Sequence, residues 1–202
     1  MGQNESRRRL QRLVQLALLI ALLLVLSFTP LGYLHLGIAE ITLLAVPVAI
    51  GANRLGPSGG ALLGAGFGLT SVAQCFGTST FGVTLLSIQP VFTAVMCIVP
   101  RILCGWLAGL AFRLLARRGH TGLPVHMGAA LCCSLGNTVL FTGTFLLLFG
   151  RSDYVLGLRA GKGLLLFAAG FIGVQGLIEA AVCCLMGGAI SFALQKALKR
   201  ME

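Results

Sequence analysis

Charged residues are scarce in this chain of 202 residues: fifteen are basic, five are acidic, and together they make up 10% of the sequence. A soluble domain of this length carries about a quarter of its residues as Asp, Glu, Lys and Arg. Every residue from Leu55 to Pro100 and from Gly119 to Gly150 is uncharged, whereas about 20 apolar residues suffice for one membrane-spanning helix. The scarcity of charge therefore excludes a soluble protein and predicts an integral membrane protein with several spans.

Motifs for nucleotide binding and metal chemistry are missing as well. The chain holds no Gly-x-x-x-x-Gly-Lys-Ser/Thr and no His-Glu-x-x-His, which are the usual signatures of a phosphate-binding loop and of a zinc hydrolase. Its cysteines form no Cys-x-x-Cys and no group with histidine at the spacing of metal ligands. We therefore expect no enzyme activity, no cofactor and no metal site. Any ATPase that serves this protein is expected to lie on another chain.

The net charge of +10 is concentrated at the ends of the apolar runs. Basic clusters precede the first run, interrupt the sequence at Arg54, and follow the runs that end near Arg113 and Lys196. They alternate with breaks that are poor in Lys and Arg, which is the positive-inside pattern of a protein with several spans. We therefore interpret the positive charge as cytoplasmic flanks beside anionic lipid, and we expect no nucleic-acid binding.

The apolar runs predict an all-α integral membrane protein, a six-transmembrane-helix bundle with both termini cytoplasmic. The expected helices are Leu13 to Phe28, Ile38 to Ala52, Gly59 to Phe76, Ile88 to Leu115, Leu123 to Phe149 and Gly163 to Lys196. The expected outer connections are Thr29 to Gly37, Gly77 to Ser87 and Gly150 to Lys162. A tight inner turn is expected at Asn53 to Ser58. In this scheme the bundle occupies the bacterial cell membrane.

The same pattern predicts one membrane domain with two short flanks. Residues 1–12 form a basic cytoplasmic N-terminal flank, residues 13–196 the membrane domain, and residues 197–202 a basic C-terminal tail. Within the domain, glycines recur every four residues at Gly56, Gly60, Gly64 and Gly68. Such a stripe lets a neighbouring helix approach closely. Of the cysteines, Cys75 near a helix end is the candidate for thiol reactivity.

Polar side chains inside the apolar runs are the main candidates for a functional site, because each is costly within a bilayer. Arg101, Asn137, Glu179 and Glu40 fall at similar depths in four different predicted helices. Two interpretations remain open. Arg101 could form a structural ion pair with Glu179 or Glu40, or the four residues could line a cavity for a small polar solute.

Further polar residues would extend this band toward the outer loops. Gln175 precedes Glu179 by one helical turn, and Gln89 precedes Arg101 by three turns. Thr70 and Gln74 repeat the spacing, although the Thr70 hydroxyl has the alternative of bonding back to its own helix. In the first outer loop, Tyr33 and His35 are candidates for a lid, with a membrane-interface anchor as the alternative for Tyr33.

Several segments resemble one family of bacterial vitamin transporters. They are Ala17-Leu18-Leu19-Ile20-Ala21, Thr29-Pro30-Leu31-Gly32-Tyr33, Pro47-Val48-Ala49-Ile50-Gly51-Ala52, Leu55-Gly56-Pro57, Phe67-Gly68-Leu69-Thr70-Ser71, Val99-Pro100-Arg101-Ile102-Leu103-Cys104-Gly105, Gly136-Asn137-Thr138-Val139-Leu140 and Ile178-Glu179-Ala180-Ala181-Val182. In order and spacing, the chain resembles a substrate-binding S-component of the energy-coupling factor (ECF) transporters, in the branch that includes pantothenate S-components.

The resemblance implies a substrate-capture subunit of an ECF-type ABC importer, delivering a vitamin through a shared module. The implied partners are a transmembrane coupling subunit and two ATPase subunits. Ala17 and Ala21 match the family's Ala-x-x-x-Ala contact motif and are implied to dock on the coupling subunit. Pantothenate is the implied substrate, with Arg101 for its carboxylate. The alternatives are a riboflavin-, folate- or pyridoxine-type substrate, or a non-transport membrane protein with a buried ion-pair network.

Overall fold

The structure, a computed structural model, describes residues 2–29, 32–36, 39–77, 79–116, 122–159, 170, 173 and 176–199. Its helices are α1 (Gly2–Phe28), α2 (Ala45–Gln74), α3 (Thr80–Ile88), α4 (Pro90–Ala116), α5 (Leu123–Phe149), α6 (Asp153–Arg159) and α7 (Gly188–Lys199). Helical residues 176–182 and a π-helical turn, Cys183–Gly187, lead directly into α7. We call Gly176–Ala197 the C-terminal span.

Four helices in the described part of the chain are long and apolar enough to cross a membrane. They are Glu5–Phe28, Pro90–Ala116, Leu123–Phe149 and Gly176–Ala197. Two of the predicted helices, Ile88 to Leu115 and Leu123 to Phe149, agree with α4 and α5 within two residues or fewer. The length and apolar composition of these helices support the prediction of a membrane protein with several spans.

A short β-hairpin interrupts the helical fold between α1 and α2. Strand β1 (Tyr33–Leu36) pairs antiparallel with β2 (Ala39–Thr42), and His35 lies opposite Glu40 in the register. The fold is otherwise helical, as predicted, but the prediction of a helix beginning at Ile38 is wrong, because β2 occupies Ala39–Thr42 and Ala45 is the first residue of α2. The β-branched pair Ile41-Thr42 suits a strand. The Leu43 amide closes the hairpin base by donating to the Gly32 carbonyl at 3.0 Å.

Helix α2 consists of two arms that fold back on each other at Gly56. Gly56 has φ of 78° and ψ of −168°, a left-handed conformation that glycine adopts without strain. A Cβ on Gly60 would lie 2.9 Å from the Ala52 Cβ, although eight residues of a straight helix span about 12 Å. The arms, residues 45–55 and 57–74, are therefore antiparallel. The reversal lies within the inner turn predicted at Asn53 to Ser58.

The second arm of α2 packs closely against α4 through the predicted glycine stripe. A Cβ on Gly60 would clash with the Gly105 carbonyl, and one on Gly64 would clash with the Arg101 carbonyl. Farther along, a Cβ on Gly68 would lie 2.8 Å from the Ile98 Cα. The two backbones are therefore nearly in contact, as small residues allow between membrane helices. This interface fixes Arg101 against α2.

Replacing Gly64 by alanine should strongly destabilise the bundle, because the new methyl group would overlap the Arg101 carbonyl. We expect a loss of about 2–4 kcal/mol in unfolding free energy, typical of overpacking, seen as a lower thermal midpoint of the purified protein. Gly66→Ala is the matched control, since nothing lies within 4 Å of its added Cβ. Equal midpoints for the two variants would contradict this account of the interface.

Two predicted connections contain short helices. Ser79 caps α3, its Oγ accepting from the Gly82 amide at 3.2 Å. Ser152 caps α6 in the same way, accepting from the Val155 amide at 3.4 Å. The prediction of loops at Gly77 to Ser87 and Gly150 to Lys162 missed these helices, although serine before an apolar segment is an N-cap signal.

The bundle has two ends, which we call the hairpin end, beside β1 and β2, and the kink end, beside Gly56. At the kink end His126 is fully buried. Its Nδ1 lies 2.8 Å from Ser191 Oγ and its Nε2 lies 2.6 Å from Gln195 Oε1. Asn53 Nδ2 donates to the His126 carbonyl at 3.2 Å. These hydrogen bonds join α2, α5 and α7, so the kink end is closed by a polar network that the sequence did not suggest.

Candidate functional site

The guanidinium of Arg101 lies between two aromatic rings contributed by other helices. Its Cζ is 4.6 Å from the ring centroid of Phe67 in α2 and 5.1 Å from that of Phe141 in α5. Both distances fall within the range of cation–π attraction. Its NH1 donates to the Cys97 carbonyl at 2.8 Å, one turn earlier in α4. The rings and this hydrogen bond hold the cation in one place between α2, α4 and α5.

The proposed ion pair between Arg101 and Glu179 is not formed. Both side chains are described. Among the described residues, the Arg101 guanidinium donates a hydrogen bond to the Cys97 carbonyl and lies over the rings of Phe67 and Phe141. Glu179 Oε1 instead accepts a hydrogen bond from the Thr42 amide at 2.8 Å. This carboxylate therefore joins the C-terminal span to the end of β2. The Glu40 side chain lies outside the part of the structure that is described.

Three polar atoms on α2, α4 and α5 are buried without a hydrogen-bond partner among the described residues. They are Arg101 Nε, Asn137 Oδ1 and Ser71 Oγ. Asn137 precedes Phe141 by one turn of α5, and Ser71 follows Phe67 by one turn of α2, so each shares a face with a ring that contacts the guanidinium. Buried polar groups normally find partners. The unpartnered oxygens of Asn137 and Ser71 thus lie about one helical turn from the rings that hold Arg101.

The other predicted site residues have different environments. The Thr70 hydroxyl donates to the Phe67 carbonyl at 2.9 Å, which is the bond back to its own helix considered above. Gln74 Nε2 donates to the Ser27 carbonyl at 2.7 Å and joins α2 to α1. Gln89 is exposed and lies before α4 begins, so its expected place on the polar face of α4 is wrong. Thr70 and Gln74, both on α2, therefore each donate a side-chain hydrogen bond to a backbone carbonyl.

The side chains of three predicted site residues lie outside the described part of the structure. Tyr33 and His35 lie in β1, where only the backbone is described, and Gln175 lies outside the described residues. The segment expected to serve as a lid is a hairpin whose base is held by Gly32 and by Glu179. It is thereby attached to both α1 and the C-terminal span.

Glu179→Ala should loosen the base of the hairpin, because it removes the carboxylate that accepts from the Thr42 amide. A hydrogen bond to a charged group contributes about 1.5–3 kcal/mol, so amide hydrogen exchange at Thr42 should accelerate by about tenfold or more. Glu179→Gln keeps an oxygen acceptor and should show a smaller acceleration. Unchanged exchange in the alanine variant would show that the bond does not hold the hairpin.

A separate apolar groove of about 550 Å³ runs between α4 and α5 and includes Leu107, Gly128, Leu131 and Val139. Val139 is 64% exposed, so the groove opens away from the bundle. Its lining residues include neither Arg101 nor Asn137. Since it offers almost no polar group to orient a solute, we assign the candidate site to the surroundings of Arg101.

The face of α1 that carries the small-residue motif is uncovered. Ala17 and Ala21 are both exposed, and they lie one turn apart on the same side of the helix. Leu23, by contrast, is 1% exposed and packs into the core, so α1 contacts the bundle through another side. The chain therefore leaves the alanine pair available to a neighbour in the membrane.

Comparisons with known proteins agree with this architecture. The family described as the substrate-specific component of ECF transporters matches residues 11–186. The pantothenate transporter PanT of Leuconostoc mesenteroides subsp. mesenteroides is 36% identical over 97 residues, which cover 48% of this chain and 45% of PanT. The match thus spans less than half the length of that relative.

A solved structure shares the fold. The crystal structure of the S-component for biotin from an ECF-type ABC transporter superposes with a TM-score of 0.58 over 97% of this chain and 95% of that chain. The sequence identity is 15%, so the likeness concerns the fold and not the ligand.

Proposed function

The chain belongs to the family of ECF-transporter substrate-specific components, and from this membership we propose that it captures pantothenate for import by a separate ATP-driven module. The observation that carries the proposal is the environment of Arg101. Its guanidinium is stacked between Phe67 and Phe141, and its Nε has no hydrogen-bond partner among the described residues. A fixed guanidinium matches the planar, two-oxygen geometry of a carboxylate.

The remaining polar groups suit the rest of a pantothenate molecule, which has an amide and two hydroxyls besides its carboxylate. Asn137 Oδ1 accepts hydrogen bonds, and the Ser71 hydroxyl both donates and accepts. Both atoms are buried and lack partners within the described structure. The similarity to PanT favours pantothenate among the vitamins that carry a carboxylate. Among the described residues, the rings that lie against the guanidinium are those of Phe67 and Phe141, fewer than we expect for a flat aromatic vitamin such as riboflavin.

We place the site in the outer half of the membrane, open beneath the hairpin. Six membrane segments would be formed by α1, the two arms of α2, α4, α5 and the C-terminal span, with both termini cytoplasmic; the first arm of α2, residues 45–55, would reach only part of the way across. The basic residues Arg7, Arg9 and Arg12 are exposed in the first turns of α1, which supports a cytoplasmic start under the positive-inside rule. Substrate would enter from outside, and the hairpin would close over it.

Energy for transport would come from partner subunits in the same membrane. The chain has no phosphate-binding loop motif, so a coupling subunit and two ATPases are the proposed partners. Exposed Ala17 and Ala21 on α1 are the proposed contact with the coupling subunit. After docking, the small bundle would reorient as one body and release the vitamin toward the cytoplasm.

A panel of vitamins tests the proposed function directly. The purified chain should be stabilised thermally by pantothenate at micromolar concentration, and labelled pantothenate should bind with saturation. Biotin, riboflavin, folate and pyridoxine serve as comparison ligands. Stabilisation by one of these vitamins and not by pantothenate would support the capture role but show that the substrate is not pantothenate. If none of the vitamins binds and no module co-purifies, both the capture role and the substrate are contradicted.

A further inference from the structure

Two cysteines face each other across the α2–α4 interface at the hairpin end. The sulfur atoms of Cys75 and Cys97 lie 3.9 Å apart, in contact and without a bond between them. Cys75 is 5% exposed and Cys97 is 3% exposed. The Cys75 thiol donates to the Ser71 carbonyl at 3.2 Å, one turn earlier in the chain.

The surroundings keep the two thiols together. Both belong to the apolar cluster of the hairpin end, with Leu85, Met96 and Phe145. A Cβ on Gly82 of α3 would lie 2.6 Å from the Cys75 sulfur, so α3 covers the pair closely. Because α2 and α4 are also in backbone contact at Gly68, neither sulfur can move far from the other.

The pair lies directly beside the candidate binding site. The carbonyl of Cys97 accepts the NH1 hydrogen bond of Arg101, and Ser71, which accepts from the Cys75 thiol, carries one of the unpartnered hydroxyls. A covalent change at the two sulfurs would therefore act on the residue whose carbonyl holds the guanidinium.

We propose that Cys75 and Cys97 are a redox-sensitive thiol pair, converted by a two-electron oxidant to a disulfide that weakens substrate binding. In the reaction two S–H bonds break and one S–S bond forms, and the thiols lose two protons and two electrons. With a diazenedicarboxamide as the oxidant, the sulfur of one cysteine first adds to the N=N bond. The sulfur of the second cysteine then attacks the first sulfur, forms the S–S bond and displaces the nitrogen. The oxidant leaves as the hydrazine with both protons and both electrons.

The effect on binding follows from geometry and depends on the proposed function. A disulfide has an S–S length of about 2.05 Å, so the sulfurs must approach well inside their present 3.9 Å separation. Since the α2 and α4 backbones are already in contact at Gly68, the approach requires rotation of the two cysteine side chains and of the Cys97 peptide group, whose carbonyl holds Arg101. We expect the oxidised protein to bind pantothenate about fivefold or more weakly, and a reducing thiol to restore binding.

Counting thiols tests the bond without reference to the ligand. The purified full chain is treated with diazenedicarboxamide, denatured and alkylated with N-ethylmaleimide, and the linked peptides are identified by mass. We expect the loss of two of the seven free thiols, with Cys75 linked to Cys97. Retention of all seven, or a link between other cysteines, would overturn the proposal.

Cysteine variants and binding measurements test whether the disulfide weakens pantothenate binding. Cys75→Ser should bind pantothenate normally and lose its sensitivity to the oxidant, and Cys75→Ala repeats the test if the serine variant misfolds. A linked protein with unchanged affinity would overturn the effect on binding. Absence of binding by the reduced wild-type chain would instead refute the proposed substrate, while the thiol count would still decide whether the pair forms a bond.

Discussion

Arg101→Gln should reduce pantothenate binding by about 100-fold or more. Truncating one partner of a buried, hydrogen-bonded charge pair costs about 2–5 kcal/mol or more, and about 1.4 kcal/mol corresponds to a factor of ten in affinity. Arg101→Lys should bind pantothenate about tenfold more weakly than the wild type, because an ammonium lacks the planar guanidinium group that lies between Phe67 and Phe141. Equilibrium binding of labelled pantothenate to each purified variant measures both effects.

The control for this prediction lies on the same helix. Arg113 is exposed near the kink end, where a Cβ on Gly56 would lie 2.9 Å from its guanidinium, so Arg113→Gln should leave pantothenate affinity unchanged. Without ligand, Arg101→Gln should fold at least as well as the wild type, because a partly buried cation with no carboxylate partner among the described residues contributes little stability. Normal pantothenate binding by a well-folded Arg101→Gln variant would show that Arg101 does not bind the ligand.

Replacing both Ala17 and Ala21 by tryptophan should prevent assembly with the energising module and leave pantothenate binding intact. Both positions are exposed on one face of α1, and two indole rings would separate helices that need small residues to pack closely. We expect co-purification with a tagged module to fall by about tenfold or more, a loss of at least about 1.4 kcal/mol.

A second double variant controls for the bulk of the tryptophans. Leu18 and Leu22 are 65% and 44% exposed and have the same spacing, on a face turned by about 100° from the alanine pair. Leu18→Trp with Leu22→Trp should assemble normally. If both double variants lose the module equally, the docking face is not defined by the alanines; if neither loses it, α1 is not the docking helix.

The spans were predictable from the sequence because a bilayer restricts the possibilities. An uncharged run long enough to cross it forms a helix, since backbone groups cannot bond to water there. Leu123 to Phe149 is enclosed by Gly122 and Gly150, so its predicted bounds coincide with those of α5. The inner turn was also visible, because Gly56-Pro57 follows the isolated charge of Arg54.

The hairpin could not be recognised by the same reasoning. Residues from Tyr33 to Thr42 form short apolar runs, and a short run does not distinguish a strand from part of a helix. Pairing between β1 and β2 is a contact between segments, and the Thr42 amide finds its acceptor in Glu179, far along the chain. Nothing in the local sequence indicates that partner.

The polar residues of the candidate site could be predicted from the sequence, but its aromatic rings could not. Arg101 and Asn137 stood out because polar groups are costly within apolar runs. Phe67 and Phe141 did not, because aromatic residues are ordinary in such runs, and only the packing of α2 and α5 on α4 brings their rings to the guanidinium. The glycine stripe at Gly64 and Gly68 was the available signal, since it brings the neighbouring Phe67 close to α4.

The most direct test of the central claim, that Arg101 recognises a vitamin carboxylate, is a calorimetric comparison of pantothenate with panthenol on the wild-type chain. Panthenol has the same amide and hydroxyls, but an alcohol replaces the carboxylate. We predict saturable binding of pantothenate and affinity for panthenol lower by about 100-fold. Equal affinities for the two compounds, or no heat of binding with pantothenate, would contradict the account.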